Sequence, residues 1–247
     1  MNLKEFKSLK ENTTTYLINY EHFLKRSNLL DLKYYHYFGK TISKILYLRN
    51  DTNLMFGIAN LYKDEKLAEL DNLLSEQRKK YNAESIELNK KILKADQIFN
   101  SNISEEDIKK LDESFDEIIE KYHPALTMSV NQNERQSYEM LKNLFYDNNV
   151  LGYFAYYDLC INNFKEVADD VDYDKVGAFY QKIIYDIRAY VVEHQTKYPF
   201  NYKDIFDDEI LIAKHQGELD VEYTRLLEEN KALHTDITNL LKKDIKL

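Results

Sequence analysis

"SEEDIKKLDESFDEIIEKYHP", residues 104–124, contains the clearest structural pattern in this chain. Ser104 is followed three residues later by Asp107, which is the spacing of a box that caps the start of a helix. The apolar residues that follow recur at intervals of three and four, as on one face of a helix: Ile108, Leu111, Phe115, Ile118, Ile119 and Tyr122. Pro124 ends the pattern, because the residue before a proline avoids the helical region. We therefore predict an amphipathic helix that stops at His123.

The rest of the chain shares this helical character. Its 247 residues include only 5 glycines and 2 prolines, whereas a β-rich chain of this length would need many turn residues. Helical periodicity predicts a helix capped by Thr13–Thr15, a second that ends near Asn50-Asp51, and another from Tyr173 to Gln195. No stretch shows the alternation of a strand. We predict an all-α fold, in which the helices form a bundle.

Two long helices are expected to pair as a coiled coil. Residues 53–99 lack proline, are highly charged and carry a narrow apolar seam that needs a partner to be stable in water. At the other end of the chain, leucine or isoleucine recurs every seven residues, and a second series follows four residues later. The main residues of this C-terminal seam are Ile212, Leu219, Leu226, Asn230, Leu233 and Leu240.

The polar residues of the second series bear on how this seam pairs. Asn230 at such a position sets the register of a coiled coil at some cost in stability, and Gln216 is polar as well. Two polar positions weaken a helix that dimerises by itself. We therefore favour an antiparallel hairpin with residues 53–99 of the same chain, with a homodimer through the C-terminal helix as the alternative.

Charge and composition restrict the function classes. The chain carries 34 basic and 43 acidic residues, a formal charge of −9, which disfavours binding to nucleic acid or to an anionic membrane. The N-terminus lacks an apolar signal core, and no run approaches membrane-spanning length, so we expect a cytoplasmic protein. The single cysteine, Cys160, excludes an internal disulfide and a cysteine metal cage.

Catalytic and metal-binding motifs are weak in this sequence. Glu120 and His123 have the spacing of half a di-iron site in a helical bundle, but none of the other five histidines follows a glutamate at that spacing. The acidic runs lack the glycine and spacing of a calcium loop. There is no phosphate-binding glycine loop, serine elbow or kinase signature. We predict no catalytic residues, no metal site and no cofactor.

The segment "KYHPAL", Lys121 to Leu126, resembles the loop of a J-domain, in which one helix ends in His-Pro-Asp and the next helix follows. The wider layout is similar to that of bacterial J-like coiled-coil proteins, in which a "PFN" and a "DDE" stretch lead into a terminal coiled coil. Here these are residues 199–201 and 207–209. The helical pattern and this resemblance together predict five segments: 1–52, N-terminal helices; 53–99, a coiled-coil helix; 100–165, a J-like module; 166–200, a connecting helix; and 201–247, a C-terminal coiled-coil helix.

Departures from the J-domain pattern imply a changed role. The J-loop residues here are His123, Pro124 and Ala125, so alanine stands where the family has its aspartate. The helix before the loop is mostly acidic on the face that is basic in the family, which reverses attraction to an acidic chaperone groove. The resemblance then implies that stimulation of the seventy-kilodalton chaperone ATPase has been lost, and that His123 caps the helix end near the negative end of its dipole.

These observations favour a non-catalytic adaptor that binds another protein, whose identity the sequence does not name. The first alternative is a divergent J-domain co-chaperone, against which Ala125 and the acidic helix argue. The second is an acidic protein that mimics nucleic acid to inhibit a nucleic-acid-binding target. An enzyme has the least support.

Overall fold

The computed structural model describes residues 1–128, 131–164 and 172–244. Within these ranges the chain forms α-helices joined by short turns and contains no strand, so the predicted all-α class is confirmed. The helices are α1 (Leu3–Lys63), α2 (Leu70–Phe99), α3 (Glu105–Tyr122), α4 (Pro124–Thr127), α5 (Gln132–Tyr146), α6 (Val150–Cys160), α7 (Tyr173–His194) and α8 (Glu209–Asp244). Three 3₁₀ turns cover Leu67–Glu69, Ile161–Asn163 and Phe200–Asp207.

The chain divides into two units, and each unit is built from two separated stretches. Unit 1 comprises Met1–Asp31 and Asn100–Lys203, and unit 2 comprises Leu32–Phe99 and Asp204–Leu247. The first half of α1 therefore belongs to unit 1 and its second half to unit 2. This division differs from the five consecutive segments expected from the sequence.

The core of unit 1 forms around α3. Leu111, Phe115, Ile118 and Ile119 are buried, as the spacing predicts, and the Phe115 ring stacks on that of Phe145 in α5 with centroids 4.2 Å apart. Burying a side chain of this size stabilises the fold by about 1.5–3 kcal/mol. The predicted amphipathic helix and its inward face are confirmed.

The ends of α3 follow from the sequence signals. The Ser104 hydroxyl oxygen accepts a hydrogen bond from the Asp107 N–H at 3.1 Å, as predicted. Asp107 does not reach back to the backbone; its Oδ2 instead accepts from the Ser104 hydroxyl at 2.7 Å. At the other end, His123 leaves the helical region with φ −57° and ψ 128°, because Pro124 follows it.

The N-terminal region differs from its prediction, because α1 is one helix of 61 residues rather than two. The hydroxyls of Thr13, Thr14 and Thr15 do not cap a helix; each donates to the carbonyl four residues earlier, a bond that satisfies the hydroxyl inside a continuing helix. The predicted end near Asn50-Asp51 is also wrong. Asn50 bonds to Leu46 O and Glu84, so its side chain is satisfied without ending the helix.

In unit 2, α2 runs antiparallel to the second half of α1. An added Cβ at Gly39 would lie 2.6 Å from Ile92 Cγ1, and one at Gly57 would lie 2.8 Å from Leu73 Cδ2. The helix expected over residues 53–99 is therefore two segments, since its first part completes α1 and the chain reverses after Lys63. Glycine has no side chain, which allows the two helices to approach each other this closely.

The helix α8 packs along the second half of α1 in the parallel direction. Gln216 donates to Thr41 Oγ1 at 2.8 Å, and further along both helices Leu226 is buried with Ile45 and Leu48. The sequence predicts residues 53–99 as the antiparallel partner of this helix, whereas the observed partner is the second half of α1. The heptad spacing indicates that a seam exists but carries no information about which helix covers it.

Candidate functional site

The predicted J-loop residues lie on the inner side of unit 1. The His123 N–H donates to Ile119 O at 3.2 Å and closes α3, while Nδ1 of its ring accepts from the Ala125 N–H at 3.0 Å. The ring therefore caps the start of α4 and not the end of α3, which corrects the expected role. Because Nδ1 is an acceptor here, the ring proton of the neutral side chain is on Nε2. Pro124 is the first residue of α4.

The other ring nitrogen of His123 faces a buried carboxylate. Its Nε2 lies 3.7 Å from Oε1 of Glu21, and the two side chains are 13% and 6% exposed. The second oxygen of Glu21 accepts a hydrogen bond from the Tyr146 hydroxyl. Burial, followed by the negative charge of Glu21, raises the pKa of Tyr146, so this hydroxyl keeps its proton. A buried carboxylate requires such donors.

Tyr138 completes this cluster. The residue is 1% exposed, and its ring meets the His123 ring edge-on with centroids 5.1 Å apart. Its hydroxyl is buried and makes no well-formed hydrogen bond within the described ranges, although the carboxylate of Glu21 lies close enough to interact with it. Burial, and then the negative charge of Glu21, raises the pKa of Tyr138 well above its ordinary value. Buried hydroxyls normally have a partner, so this one has capacity for a further hydrogen bond.

A cavity of about 510 Å³ opens beside these residues. Helices α1, α4, α5 and α7 form its walls, which combine apolar side chains such as Leu17 and Ile187 with the polar group of Glu21, His123 and Tyr138. A mostly apolar cavity with a few convergent polar groups is the usual form of a small-ligand site. We call it the Glu21 cavity.

A second feature of unit 1 is the outer face of α6. This helix has a single charged residue, Asp158, in the sequence VLGYFAYYDLC. Tyr153 and Cys160 are buried on one side, whereas Leu151 and Leu159 are 87% and 79% exposed on the other. A helix that is apolar all round is normally buried. We call Leu151, Ala155 and Leu159, spaced by four residues and all exposed, the α6 apolar stripe.

Acidic residues of α3 lie beside this helix. Glu117 is among the groups that raise the pKa of Tyr157 in α6, after burial, which is the larger cause. Glu113 and Glu117 are exposed, and in the part of the chain that the structure describes each pairs with a lysine of its own helix. The side of α6 that carries Tyr157 therefore lies next to Glu117 of α3.

The predicted C-terminal seam residues lie on α8 at several depths. Leu226 and Asn230 are buried, Ile212, Leu219 and Leu233 are partly buried, and Leu240 is exposed. Asn230 Nδ2 donates to Asp51 Oδ2 at 2.9 Å and to Thr52 Oγ1 at 3.1 Å. The residue expected to set register is thus held by two specific bonds to α1.

The half di-iron spacing does not form a site. Glu120 is exposed, while His123 faces Glu21, so the two do not converge. In the described ranges no cluster of three or more histidine, cysteine or acidic residues could hold a metal ion. Cys160 is buried, and burial raises the pKa of its thiol, which suits a packing role. None of the described helices has both the length and the apolar character of a membrane span.

Sequence reasoning located His123 but missed Glu21, Tyr138 and Tyr146 as its neighbours. One signal was present in the sequence, because Thr13, Leu17 and Glu21 recur every four residues. The structure shows that all three are buried. A charged residue at helical spacing from apolar ones marks a buried charge. Nothing in the spacing shows that residues more than 100 positions later cover Glu21.

Comparisons with protein-family models, with curated proteins and with solved structures found no match for this chain.

Proposed function

We propose that this chain is a non-catalytic adaptor that binds another protein through the α6 apolar stripe. The observation that carries the proposal is the exposure of Leu151 and Leu159, at 87% and 79%, on a helix with one charged residue. Large apolar side chains grouped on an exposed helix face are typical of a protein-binding surface. Burying the two leucines against a partner supplies about 1.5–3 kcal/mol each before the entropic cost of association.

The surroundings of the stripe indicate the chemistry of the partner. Asp158 is exposed beside Leu159 and is the only charged residue of α6. An amphipathic helix with an apolar face and a basic residue at its edge would match both the leucines and Asp158. The fit of charge governs specificity and association rate more than affinity.

A capture experiment tests this proposal. Tagged wild-type chain and a Leu151→Lys/Leu159→Lys variant are incubated with extract of the source cells, and Val221→Lys serves as the control because Val221 is an exposed apolar residue on α8. We expect a partner that is retained by wild type and the control and lost from the double variant, with helical content unchanged. Equal capture by all three would overturn the proposal. Capture that is lost instead on deletion of residues 210–247 would move the binding site to α8.

We also propose that residues 100–165 are a J-like module that has lost ATPase stimulation. Ala125 stands at the loop aspartate position, and the ring of His123 is turned inward toward Glu21 rather than presented to a partner. The mostly acidic surface of α3 supports the same proposal. A chaperone ATPase assay tests it, with an active J-domain as positive control. We expect no stimulation by wild type, whereas stimulation would favour the co-chaperone alternative.

A further inference from the structure

The Tyr138 hydroxyl is a buried polar group that lies close to the carboxylate of Glu21 but makes no well-formed hydrogen bond. It has no hydrogen bond within the described part of the chain and lies on the wall of the Glu21 cavity. Leaving such a group unpaired lowers stability. A ligand group in the cavity would supply the missing bond.

The charge of the cavity is dominated by Glu21. Of the other acidic residues that line it, Glu139 pairs with Lys142 at 2.6 Å, and Asp186 pairs with Lys182 at 2.7 Å. Around Glu21 lie the hydroxyls of Tyr146 and Tyr138 and the ring of His123. Since Nδ1 of that ring accepts a hydrogen bond, the ring in this geometry is neutral and leaves the carboxylate uncompensated.

The remaining walls suit an organic cation. Tyr20 and Tyr190 line the cavity and meet edge-on, with ring centroids 5.5 Å apart and planes at 87°, so they form an aromatic corner. Aromatic faces attract ammonium and guanidinium groups, while Leu17 and Ile187 offer contacts to an alkyl stem. A bare metal ion would require several more oxygen ligands than the cavity offers. The volume, about 510 Å³, lies in the range of about 300–1,000 Å³ that is usual for small-ligand sites.

We propose that the Glu21 cavity binds a small organic cation, an ammonium or guanidinium group on an apolar stem. In this arrangement the N–H groups of the ligand donate to the carboxylate of Glu21 and to the hydroxyl oxygen of Tyr138, and the stem lies against Leu17 and Ile187. Glu21 has the acceptor capacity for this, because an ionised carboxylate accepts several hydrogen bonds. The proposal is independent of the α6 apolar stripe.

Titration calorimetry of the full chain tests the proposal, with n-butylammonium and agmatine as cationic probes. Butyrate and n-butanol are the anionic and neutral controls of similar size. We expect the cations to bind and butyrate not to bind. Failure of both cations to bind at millimolar concentration, or equal binding of butyrate, would overturn the proposal.

Variants distinguish the cavity from nonspecific binding. We expect Tyr138→Phe to weaken cation binding by roughly tenfold through the loss of one hydrogen bond to a charged group, and Glu21→Gln to remove the preference for the cations over n-butanol. Tyr153→Phe is the matched control, because Tyr153 is equally buried in unit 1 and does not line the cavity. Unchanged affinity in Tyr138→Phe, a change expected to leave the fold intact, would overturn the proposal even if Glu21→Gln failed to fold.

Discussion

Tyr138 and Tyr153 are both fully buried in unit 1 but differ in the surroundings of the hydroxyl. The Tyr153 hydroxyl bonds to Ser114 Oγ at 3.3 Å, whereas that of Tyr138 makes no well-formed hydrogen bond in the described ranges. The two residues share a ring, a unit and a degree of burial. Replacing each of them with phenylalanine therefore compares the loss of a bonded hydroxyl, at Tyr153, with the loss of one without a well-formed bond, at Tyr138.

Phenylalanine substitutions at the two tyrosines should change the free energy of unfolding in opposite directions. We expect Tyr138→Phe to raise the free energy of unfolding by about 1 kcal/mol, because it removes an unpaired buried hydroxyl, and Tyr153→Phe to lower it by about 1 kcal/mol. Urea unfolding measures both. A Tyr138→Phe variant less stable than Tyr153→Phe would show that the hydroxyl of Tyr138 is bonded in solution.

Alkaline pH should destabilise the protein through its buried tyrosines. Burial is the main cause that raises the pKa of Tyr138, Tyr146 and Tyr153 above the ordinary value of 10.0. Their stabilising contribution is complete below pH 10 and is lost as the pH rises above it, since the unfolded chain then releases protons that the folded chain keeps. Burial lowers the pKa of Lys25. This one group therefore makes the folded state more stable as the pH rises, which opposes the effect of the tyrosines.

Urea midpoints between pH 8 and pH 11 measure this dependence. We expect a fall in stability above about pH 10 that is less steep in Tyr153→Phe. Tyr185→Phe is the control, because Tyr185 is exposed, and it should follow wild type. Stability that stays constant up to pH 11 would contradict the proposed burial of these hydroxyls.

At the scale of helices, local signals predicted some boundaries and not others. Ser104 and Pro124 fix α3 because a cap and a proline act on their own backbone neighbours. Asn50 and Asp51 resemble a helix end equally well. They are instead bonded to Glu84 and Asn230, more than 30 residues away, and no local pattern contains that information.

Gly39 tests the close packing of α1 on α2, and Gly217 is its control. A Cβ at Gly39 would lie 2.6 Å from Ile92 Cγ1, whereas nothing lies within 4 Å of one at Gly217 in α8. We expect Gly39→Ala to destabilise the protein by about 1–3 kcal/mol through overpacking. Gly217→Ala should stabilise it by about 0.5–1 kcal/mol through helix propensity. Thermal and urea unfolding measure both, and a neutral Gly39→Ala would mean that the two helices are further apart.

For the whole molecule, the sequence predicted the fold class but not the composition of the units. Helical spacing and scarce glycine and proline were sufficient for the all-α class. The two units each combine distant stretches of chain, because long helices bring residues together that lie far apart in sequence. For the same reason the sequence identified His123 as a loop residue but did not indicate the Glu21 cavity around it.

The exposed face of α6 was also outside the reach of sequence reasoning. An apolar run such as VLGYFAYYDLC is normally interpreted as buried, and only the structure shows that Leu151 and Leu159 face outward. The proposed adaptor function depends on this face. A partner whose basic residue pairs with Asp158 should also dissociate faster at high salt, because exposed charges are screened.

The most direct test of the adaptor proposal is site-specific photo-crosslinking in the source cells. A benzophenone side chain replaces Ala155, which is exposed between Leu151 and Leu159, and Val221 on α8 in a separate control chain. The proposal predicts a discrete crosslinked partner from position 155 and none from position 221, with the product lost in the Leu151→Lys/Leu159→Lys background. A position 155 that yields no product, or the same products as position 221, would contradict it.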